Sequence, residues 1–323
     1  MRLLIHTVAV ALVVVGVGPA LRADEAAAVA ALKQLGAGFQ VDRAVKGEPV
    51  VEVRLFARKT GQDGIRHLKD LPHLRRVELQ NTPVSFENVK LLAALPRLER
   101  LGLYGTGLTP DGLRELTRLK NLKSLDIGFT DVRDESLALL KAWPDLEELS
   151  LSNGSRFTAA AYKYLAGFRK LKTLDLTSNF DLTDAALADI TDLPELAELR
   201  LRTTRVTDPG VKALGRFPKL KRLDLQGAPV TDAVLPALAA LPELEYLGLA
   251  GAKVTDDGLK HLTAAPKLWE LDLGGTAVSD AGVKNLTASK SMWVVWVPGT
   301  KATEAGTADL KTAGGRKLVV RFR

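Results

Sequence analysis

Apolar and polar residues alternate over short stretches that return along most of this chain. In the stretch Leu-Asp-Leu at 223–225, Leu223 and Leu225 point to one side of an extended backbone and Asp224 points to the other. A few residues later the apolar period becomes helical, as in Leu259 and Leu262, which lie three apart on one face. The pattern predicts a short strand followed by a short helix, repeated along the chain.

The strand and the helix form a unit that aligns on Leu-x-x-Leu-x-Leu. Successive units begin 24 or 25 residues apart, and a degenerate twelfth unit begins at Lys317. A strand that reaches a parallel neighbour through a helical crossover cannot bury its apolar face alone, so we expect the units to stack as a solenoid. The eleven regular units begin at Val50, Leu74, Leu98, Leu122, Leu146, Leu171, Leu196, Leu220, Leu244, Leu268 and Met292.

The second half of the unit carries a recurrent polar motif. It reads VTDPGVKAL at 206–214, VTDDGLKHL at 254–262 and VSDAGVKNL at 278–286. Thr255 suits the N-cap of the helix, and Asp256 suits the positive end of the helix dipole. We expect the motif glycines Gly112, Gly210, Gly258 and Gly282 to serve turns. A threonine hydroxyl is expected to bond turn backbone after the strand, at Thr82, Thr106, Thr130, Thr204, Thr276 and Thr300.

These motifs resemble the leucine-rich repeat family over residues 50–323. The 24-residue period and the VTDxGL signature are most similar to its cysteine-containing and GALA-like subclasses, although threonine stands where those families often have cysteine or asparagine. The resemblance implies an α/β solenoid, or horseshoe, with a parallel concave β-sheet and short convex helices. It also implies a role in binding, without naming a partner.

The residues before the first unit divide into two segments. Residues 1–23 combine Arg2, an apolar stretch and small residues up to Ala23, which is typical of an export signal. Cleavage after Ala23 fits best, with Ala20 as an alternative, and an uncleaved anchor from Leu3 stays open. Residues 24–49 are expected to cap the solenoid before the domain at 50–323, which ends in a capping strand. The protein is therefore predicted to be exported, to the periplasm, the cell surface or the medium.

Composition narrows the possible chemistry. The chain has no cysteine, which excludes disulfides, thiolate metal sites and cysteine nucleophiles. Removing residues 1–23 takes away two of the 45 basic residues and none of the 38 acidic ones that follow, leaving a charge of 43 minus 38, or +5. So weak a basic surplus gives no reason to expect a nucleic-acid partner, and no transmembrane segment is expected after cleavage.

No residue cluster predicts a catalytic site or a cofactor. His67 and His261 are expected on exposed helix positions and His73 in a loop, so no two histidines are placed to share a metal or a proton. No GxSxG, HExxH or phosphate-binding glycine loop is present. We therefore expect no cofactor, no metal and no enzymatic activity.

An alternative starts from four aspartates that face the concave side on every second strand, about 10 Å apart. That spacing is near the carboxyl separation of an inverting glycosidase. Because the face is open to water, however, no carboxyl there is expected to have a raised pKa. Neighbouring lysines at Lys123, Lys172 and Lys221 are expected to neutralise the row.

Aromatic and arginine side chains on the concave face are the best candidates for contacts with a partner. Trp143 is set aside as a core residue, and Trp293 and Trp296 could instead pack under the C-terminal strand as a cap. The sequence thus predicts an exported, non-enzymatic scaffold for a protein or peptide; the alternatives are an envelope glycan as ligand, or a glycoside hydrolase. The candidate contacts are Tyr104, Asp126, Asp175, Arg200, Arg202, Asp224, Tyr246, Trp269, Asp272 and Trp296.

Overall fold

A computed structural model describes residues 23–56, 61–308, 310–313 and 315–323. Its strands stack in chain order into one 13-stranded sheet. The first two strands pair antiparallel, and the others pair parallel in a constant register that places Leu223, Leu247 and Leu271 side by side. The predicted α/β leucine-rich repeat solenoid is confirmed. The predicted export signal lies, apart from Ala23, outside the described residues.

Most strands contain only three residues, in agreement with the short apolar–polar alternation in each unit. The strands are β1 Gly38–Val41, β2 Val50–Arg54, β3 Arg76–Glu78, β4 Arg100–Gly102, β5 Ser124–Asp126, β6 Glu148–Ser150, β7 Thr173–Asp175, β8 Glu198–Arg200, β9 Arg222–Asp224, β10 Tyr246–Gly248, β11 Glu270–Asp272, β12 Val294–Trp296 and β13 Val319–Arg321.

The crossovers are short helices of two kinds. The α-helices are α1 Ala23–Gln34, α2 Gly61–Ile65, α3 Phe86–Ala93, α4 Pro110–Leu116, α5 Asp184–Ala188, α6 Asp208–Lys212, α7 Leu235–Ala239, α8 Asp256–Leu262, α9 Asp280–Asn285 and α10 Glu304–Thr307. The 3-10 helices are Leu68–Asp70, Asp134–Ala142, Ala159–Leu165, Ala213–Arg216, Asp232–Val234 and Leu286–Ala288. None of the described helices is long and apolar enough to cross a membrane.

The core runs between the sheet and the helices along the whole solenoid. Strand and helix leucines such as Leu223 and Leu259 are completely buried. At the N-terminal end, the buried residues Val29 and Leu32 of α1 pack on the same core. Trp143 is also buried, as predicted, and its Nε1 donates a hydrogen bond to the carbonyl of Leu119 at 2.6 Å.

The turn threonines close each strand as expected. The hydroxyl of Thr106 donates to the carbonyl of Leu103 at 2.7 Å, and Thr204 and Thr276 make the equivalent bond in their own units. Asn179 takes this position in one unit, where its amide donates to Leu151 and Leu176 carbonyls. Seven units thus use a short polar side chain that satisfies buried backbone, whereas the units of β9 and β10 have the buried alanines Ala228 and Ala252 at this position.

The VTDxG motif links neighbouring units, which its sequence did not reveal. In six cases an aspartate accepts both the backbone N–H and the hydroxyl of the N-cap residue one unit later, at 2.5–2.9 Å. We call these pairs the aspartate ladder. They are Asp134–Thr158, Asp184–Thr207, Asp208–Thr231, Asp232–Thr255, Asp256–Ser279 and Asp280–Thr303.

The aspartate ladder corrects two expectations. Thr255 has the extended backbone of an N-cap, but its hydroxyl donates to Asp232 and makes no bond with its own helix. The motif glycines Gly210, Gly258 and Gly282 serve no turn; a methyl group there would overlap the ladder carboxylate of the preceding unit. Glycine therefore permits this close approach in the α-helices, whereas Ala161 and Val234 hold the same position where the helix is 3-10.

One buried hydroxyl yields a stability prediction. Tyr162 is completely buried, and its hydroxyl has no hydrogen-bond partner among the described residues. Burial raises the pKa of this phenol, and desolvating an unpaired hydroxyl costs free energy. We expect Tyr162→Phe to raise the free energy of unfolding by about 1 kcal/mol in urea titrations. Tyr164→Phe, on a partly exposed neighbour, serves as the control, and a destabilised Tyr162→Phe protein would contradict the account.

Candidate functional site

The concave face is built from side chains that alternate with the buried leucines. In each strand the first and third residues face outward, as does the residue two positions beyond the strand. The parallel register aligns the last residues of successive strands into one row, which we call the central row. From β2 to β13 the central row reads Arg54, Glu78, Gly102, Asp126, Ser150, Asp175, Arg200, Asp224, Gly248, Asp272, Trp296 and Arg321.

The four central-row aspartates stand on every second strand, as predicted, and each one closes its own turn. In each case Oδ1 accepts the backbone N–H two residues further on, at 2.9–3.0 Å. These residues therefore have a structural task, which weakens the case for a pair of catalytic carboxylates. The four donors are Gly128, Thr177, Gln226 and Gly274.

Arg200 and Arg202 lie on the concave face, but both are held by carboxylates. Arg200 pairs with Glu198 at 2.7 Å and Asp175 at 3.3 Å, and Arg202 reaches Asp224 at 3.5 Å. Burial lowers the pKa of Arg200, but Glu198 and Asp175 outweigh it and raise that pKa. A partner would have to compete with these ion pairs for either guanidinium.

The lysines expected to neutralise the aspartates do not reach them. Lys172 pairs with Glu147 at 2.6 Å and Lys221 with Glu245 at 3.0 Å, each at the edge where the strands begin. Lys123 likewise lies 3.5 Å from Glu99. That expectation was wrong because these lysines precede their strands by one residue and meet the equivalent residue of an adjacent unit, the preceding one for Lys123 and Lys172 and the next one for Lys221.

The aromatic candidates of the last units separate into two groups. Tyr246 lies on the concave face, with the Arg222 guanidinium 4.2 Å from its ring centroid, and Trp296 donates to Glu270 at 3.1 Å. Trp269 lies one residue before β11, at the sheet edge, 6.1 Å from Trp293 between ring centroids. Trp269 thus belongs with the exposed Trp293, apart from the row that holds Trp296.

A second group of residues gathers at β3 to β6. The Glu78 carboxyl lies over Gly102, where a methyl group would overlap it. The Tyr104 ring leans over Gly128, since a Cβ there would lie 3.0 Å from Tyr Cδ2. Because glycine has no side chain, Gly102 and Gly128 each leave space on the concave face, and the long side chains of Glu78 and Tyr104 occupy it.

The expectation that no carboxyl on the concave face has a raised pKa is wrong in this region. Burial, with Asp126 as the next cause, raises the pKa of Glu78 from 4.5 to about 7. Burial also raises the pKa of Asp126, and more than offsets the hydrogen bond from Gly128. Although the face is open overall, side chains crossing the glycines remove water locally.

Phe129 completes the group and was not among the predicted contacts. Its ring is 57% exposed and lies 6.0 Å from that of Tyr104 between centroids, while the Tyr104 hydroxyl accepts from Nδ2 of Asn153 at 3.0 Å. Phe129 has a φ of +48°, a left-handed backbone that costs a bulky residue roughly 1–2 kcal/mol. The equivalent residues in other units, all with positive φ, are Asn81, Gly105, Asn153, Ser178, Thr203, Gly227, Gly251, Gly275 and Gly299.

Comparisons with known proteins agree with this architecture. A family model described as "Leucine Rich repeat" matches residues 118–141. A chain of the Rad7 and Elc1 complex in yeast has 21% identity and a TM-score of 0.59, with 84% of this chain and 81% of that chain covered. A chain of the TLR13–ssRNA13 complex has 20% identity and a TM-score of 0.54, with 72% and 33% covered.

An internalin, inlF from Listeria monocytogenes, is 18% identical with a TM-score of 0.47, and 88% of this chain and 84% of that chain are covered. No curated protein sequence matches this chain. At these identities the solved structures show the fold alone. The two structures with TM-scores above 0.5 agree with the solenoid fold, and the family model identifies a leucine-rich repeat at residues 118–141.

Proposed function

We propose that this leucine-rich repeat solenoid is an exported scaffold, without enzymatic activity, that binds a protein or peptide on its concave face. The observation that carries the proposal is the continuous parallel sheet, whose side chains are held in place by ion pairs and turn bonds. Twelve parallel strands make a wall on the order of 50 Å long, which suits an extended polypeptide better than a small ligand. Pre-organised side chains also reduce the entropy lost on binding.

The nature of the concave residues favours a protein partner. Tyr246 and Trp296 present partly exposed rings, and Arg200 and Arg202 alternate with acidic neighbours. Aromatic and arginine side chains contribute most of the energy in protein interfaces. The four aspartates, at Asp126, Asp175, Asp224 and Asp272, complete a surface of mixed charge. The described residues contain no group of three histidines or acids that could hold a metal.

Two finer points belong to the same proposal. The VTDxG units favour the cysteine-containing and GALA-like subclasses, with threonine in the turn position. Export is supported by the composition of residues 1–23. Mass spectrometry of the mature protein should find Asp24 at the N-terminus, or Leu21 if cleavage follows Ala20. A full-length chain retained in the cytoplasm would contradict export.

The experiment that tests binding compares two faces of the solenoid. Partners are captured from the envelope of the producing cell with the wild-type protein, with Tyr246→Ala/Trp296→Ala, and with Phe86→Ala as the control. Phe86 is an exposed aromatic residue of α3 on the helical side. We expect a partner protein whose affinity falls at least about tenfold in the concave variant, because interface aromatics carry 2 kcal/mol or more. Phe86→Ala should retain it.

The other outcomes each reject part of the proposal. A partner lost by Phe86→Ala and retained by the concave variant would move binding to the helical side. Saturable binding of a purified envelope polysaccharide, lost in the concave variant, would establish a glycan as ligand in place of a protein. Turnover of a glycoside that disappears in Asp175→Asn would show that the protein is an enzyme.

A further inference from the structure

Glu78, Tyr104, Asp126, Phe129 and Asn153 form what we call the acidic–aromatic patch. Glu78 and Asp126 approach each other across Gly102. Tyr104 lies beside them, close enough for the charge of Asp126 to raise its pKa, after the larger effect of burial. Phe129 extends the aromatic surface toward solvent. Two carboxyls and two rings are thus combined on one part of the concave face.

The arginines around the patch are already engaged elsewhere. Arg54 and Arg76 both bind Glu52, the latter at 3.3 Å, and Arg100 binds Glu148 at 2.9 Å. Among the described residues, no cation lies within 4.0 Å of Glu78 or Asp126, whereas Asp175 and Asp224 each have an arginine partner. Burial and Asp126 raise the pKa of Glu78 by more than Arg100 and Arg54 lower it, and neither arginine forms an ion pair with the patch.

The Phe129 side chain is the second observation that points to a ligand. It is exposed, and it occupies a left-handed turn position where five other units use glycine and the rest use small polar residues. An exposed ring beside unpaired carboxyls offers its face to a cation.

We propose that the acidic–aromatic patch binds an arginine side chain of the partner, with its guanidinium stacked on Phe129 and hydrogen-bonded to the Glu78 and Asp126 carboxylates. Arginine fits better than lysine because its planar fork can stack on a ring and bond two carboxylates together. The inference rests on the proposed function, since the arginine belongs to the polypeptide on the concave face. It predicts that the bound polypeptide has an arginine where it crosses the part of the concave face formed by β3 to β5.

The test uses the full chain and a defined probe, the blocked peptide acetyl-Gly-Arg-Gly-amide. Its binding is followed by backbone amide chemical shifts in the wild-type protein and in Phe129→Gly, Glu78→Gln and Phe180→Ala. Phe129→Gly restores the residue found at Gly105 and Gly227, so this variant is expected to fold. Phe180 is an equally exposed phenylalanine in another turn and serves as the matched control.

We expect the wild-type protein to bind the arginine peptide saturably. The affinity should fall about fivefold in Phe129→Gly, because one cation–π contact is lost, and at least as much in Glu78→Gln. Phe180→Ala should bind as the wild type does. The citrulline peptide, uncharged but similar in shape, should bind at least tenfold more weakly, and the lysine peptide should fall between the two. Binding should tighten from pH 5.5 to pH 8 as Glu78 ionises among Glu52, Arg54, Arg100 and Asp126.

Several results would overturn the inference. They are equal binding of the arginine and citrulline peptides, undiminished binding to Phe129→Gly, or no binding of the arginine peptide at all. A dimer of the wild type that Phe129→Gly converts to a monomer, without peptide binding, would assign the patch to a second copy of the chain. If Phe129→Gly still captures the envelope partner that Tyr246→Ala/Trp296→Ala loses, the inference fails while the proposed function stands.

Discussion

Gly282→Ala is expected to lower the free energy of unfolding by about 2–3 kcal/mol, although a helical glycine replaced by alanine ordinarily gains stability. The reason is the aspartate ladder, in which Asp256 accepts the N–H of Ser279 at 2.8 Å and its hydroxyl at 2.5 Å. The carboxylate lies against Gly282, and a methyl group there would overlap it. In an α-helix the Asp256 side chain must then give up its two charge-assisted hydrogen bonds or strain the junction, whereas the 3-10 helices at Ala161 and Val234 keep both ladder bonds with a larger residue at this position.

Urea unfolding followed by circular dichroism measures this effect. Gly215→Ala is the matched control, because that glycine is exposed, has no positive φ and has no atom within 4 Å of an added Cβ. It should be neutral or slightly stabilising. In an Asp256→Ala background the cost of Gly282→Ala should largely disappear, since the two changes act on one contact. Equal costs in both backgrounds would contradict the mechanism.

The aspartate ladder also shows what a repeated sequence reveals and what it leaves hidden. Alternation of leucines predicts the strands, their register and the buried face, because each of these follows from side-chain direction within one unit. The partner of Asp256, by contrast, is Ser279, which lies 23 residues away and belongs to the next copy of the motif. A local view of Thr255 and Asp256 therefore predicts the N-cap position and the acid in the first turn, both of which the structure has, but it misses the bond from Asp256 to the next unit.

The same distinction applies to the concave face. The positions of Asp126, Asp175 and Arg200 on the face follow from alternation alone. The pairing of long side chains does not, because an arginine or glutamate reaches across one or two strands and several partners compete for it. Glu78 is not among the contacts that the sequence predicts. Its raised pKa depends on the space above Gly102, which its carboxyl occupies, and on Asp126 two strands away.

The position of Phe129 had a signal that alignment of the units could have found. Gly105, Gly227, Gly251, Gly275 and Gly299 share one turn position, and a phenylalanine there is out of place on conformational grounds. Residues that depart from the repeated motif are more informative about binding than residues that follow it, because packing explains why the motif residues recur.

Glu78→Gln is expected to stabilise the protein at pH 8 by about 1–3 kcal/mol. This is below the roughly 3.5 kcal/mol that about 1.4 kcal/mol for each pKa unit between 4.5 and 7 would give, because water screens a partly buried carboxyl. Glu78 has a pKa of about 7 in the folded chain against 4.5 in the unfolded one, chiefly because of burial. The folded state therefore binds the proton more tightly, so folding is favoured below pH 4.5 and this contribution is lost as the pH rises through 7. Glutamine does not ionise and carries no such penalty.

The measurement is the urea midpoint of wild type and variant at intervals from pH 4.5 to pH 8.5. The difference between the two should grow with pH and level off above about pH 8, whatever the other carboxyls contribute, because they titrate alike in both proteins. Glu87→Gln is the control, because it removes an exposed negative charge of α3 and leaves the buried carboxyl of Glu78 in place. Its urea midpoint should differ from that of the wild type by a nearly constant amount across this pH range. Parallel curves for Glu78→Gln would mean that Glu78 ionises as freely as a solvated glutamate, and the patch would lose the pH dependence expected for arginine binding.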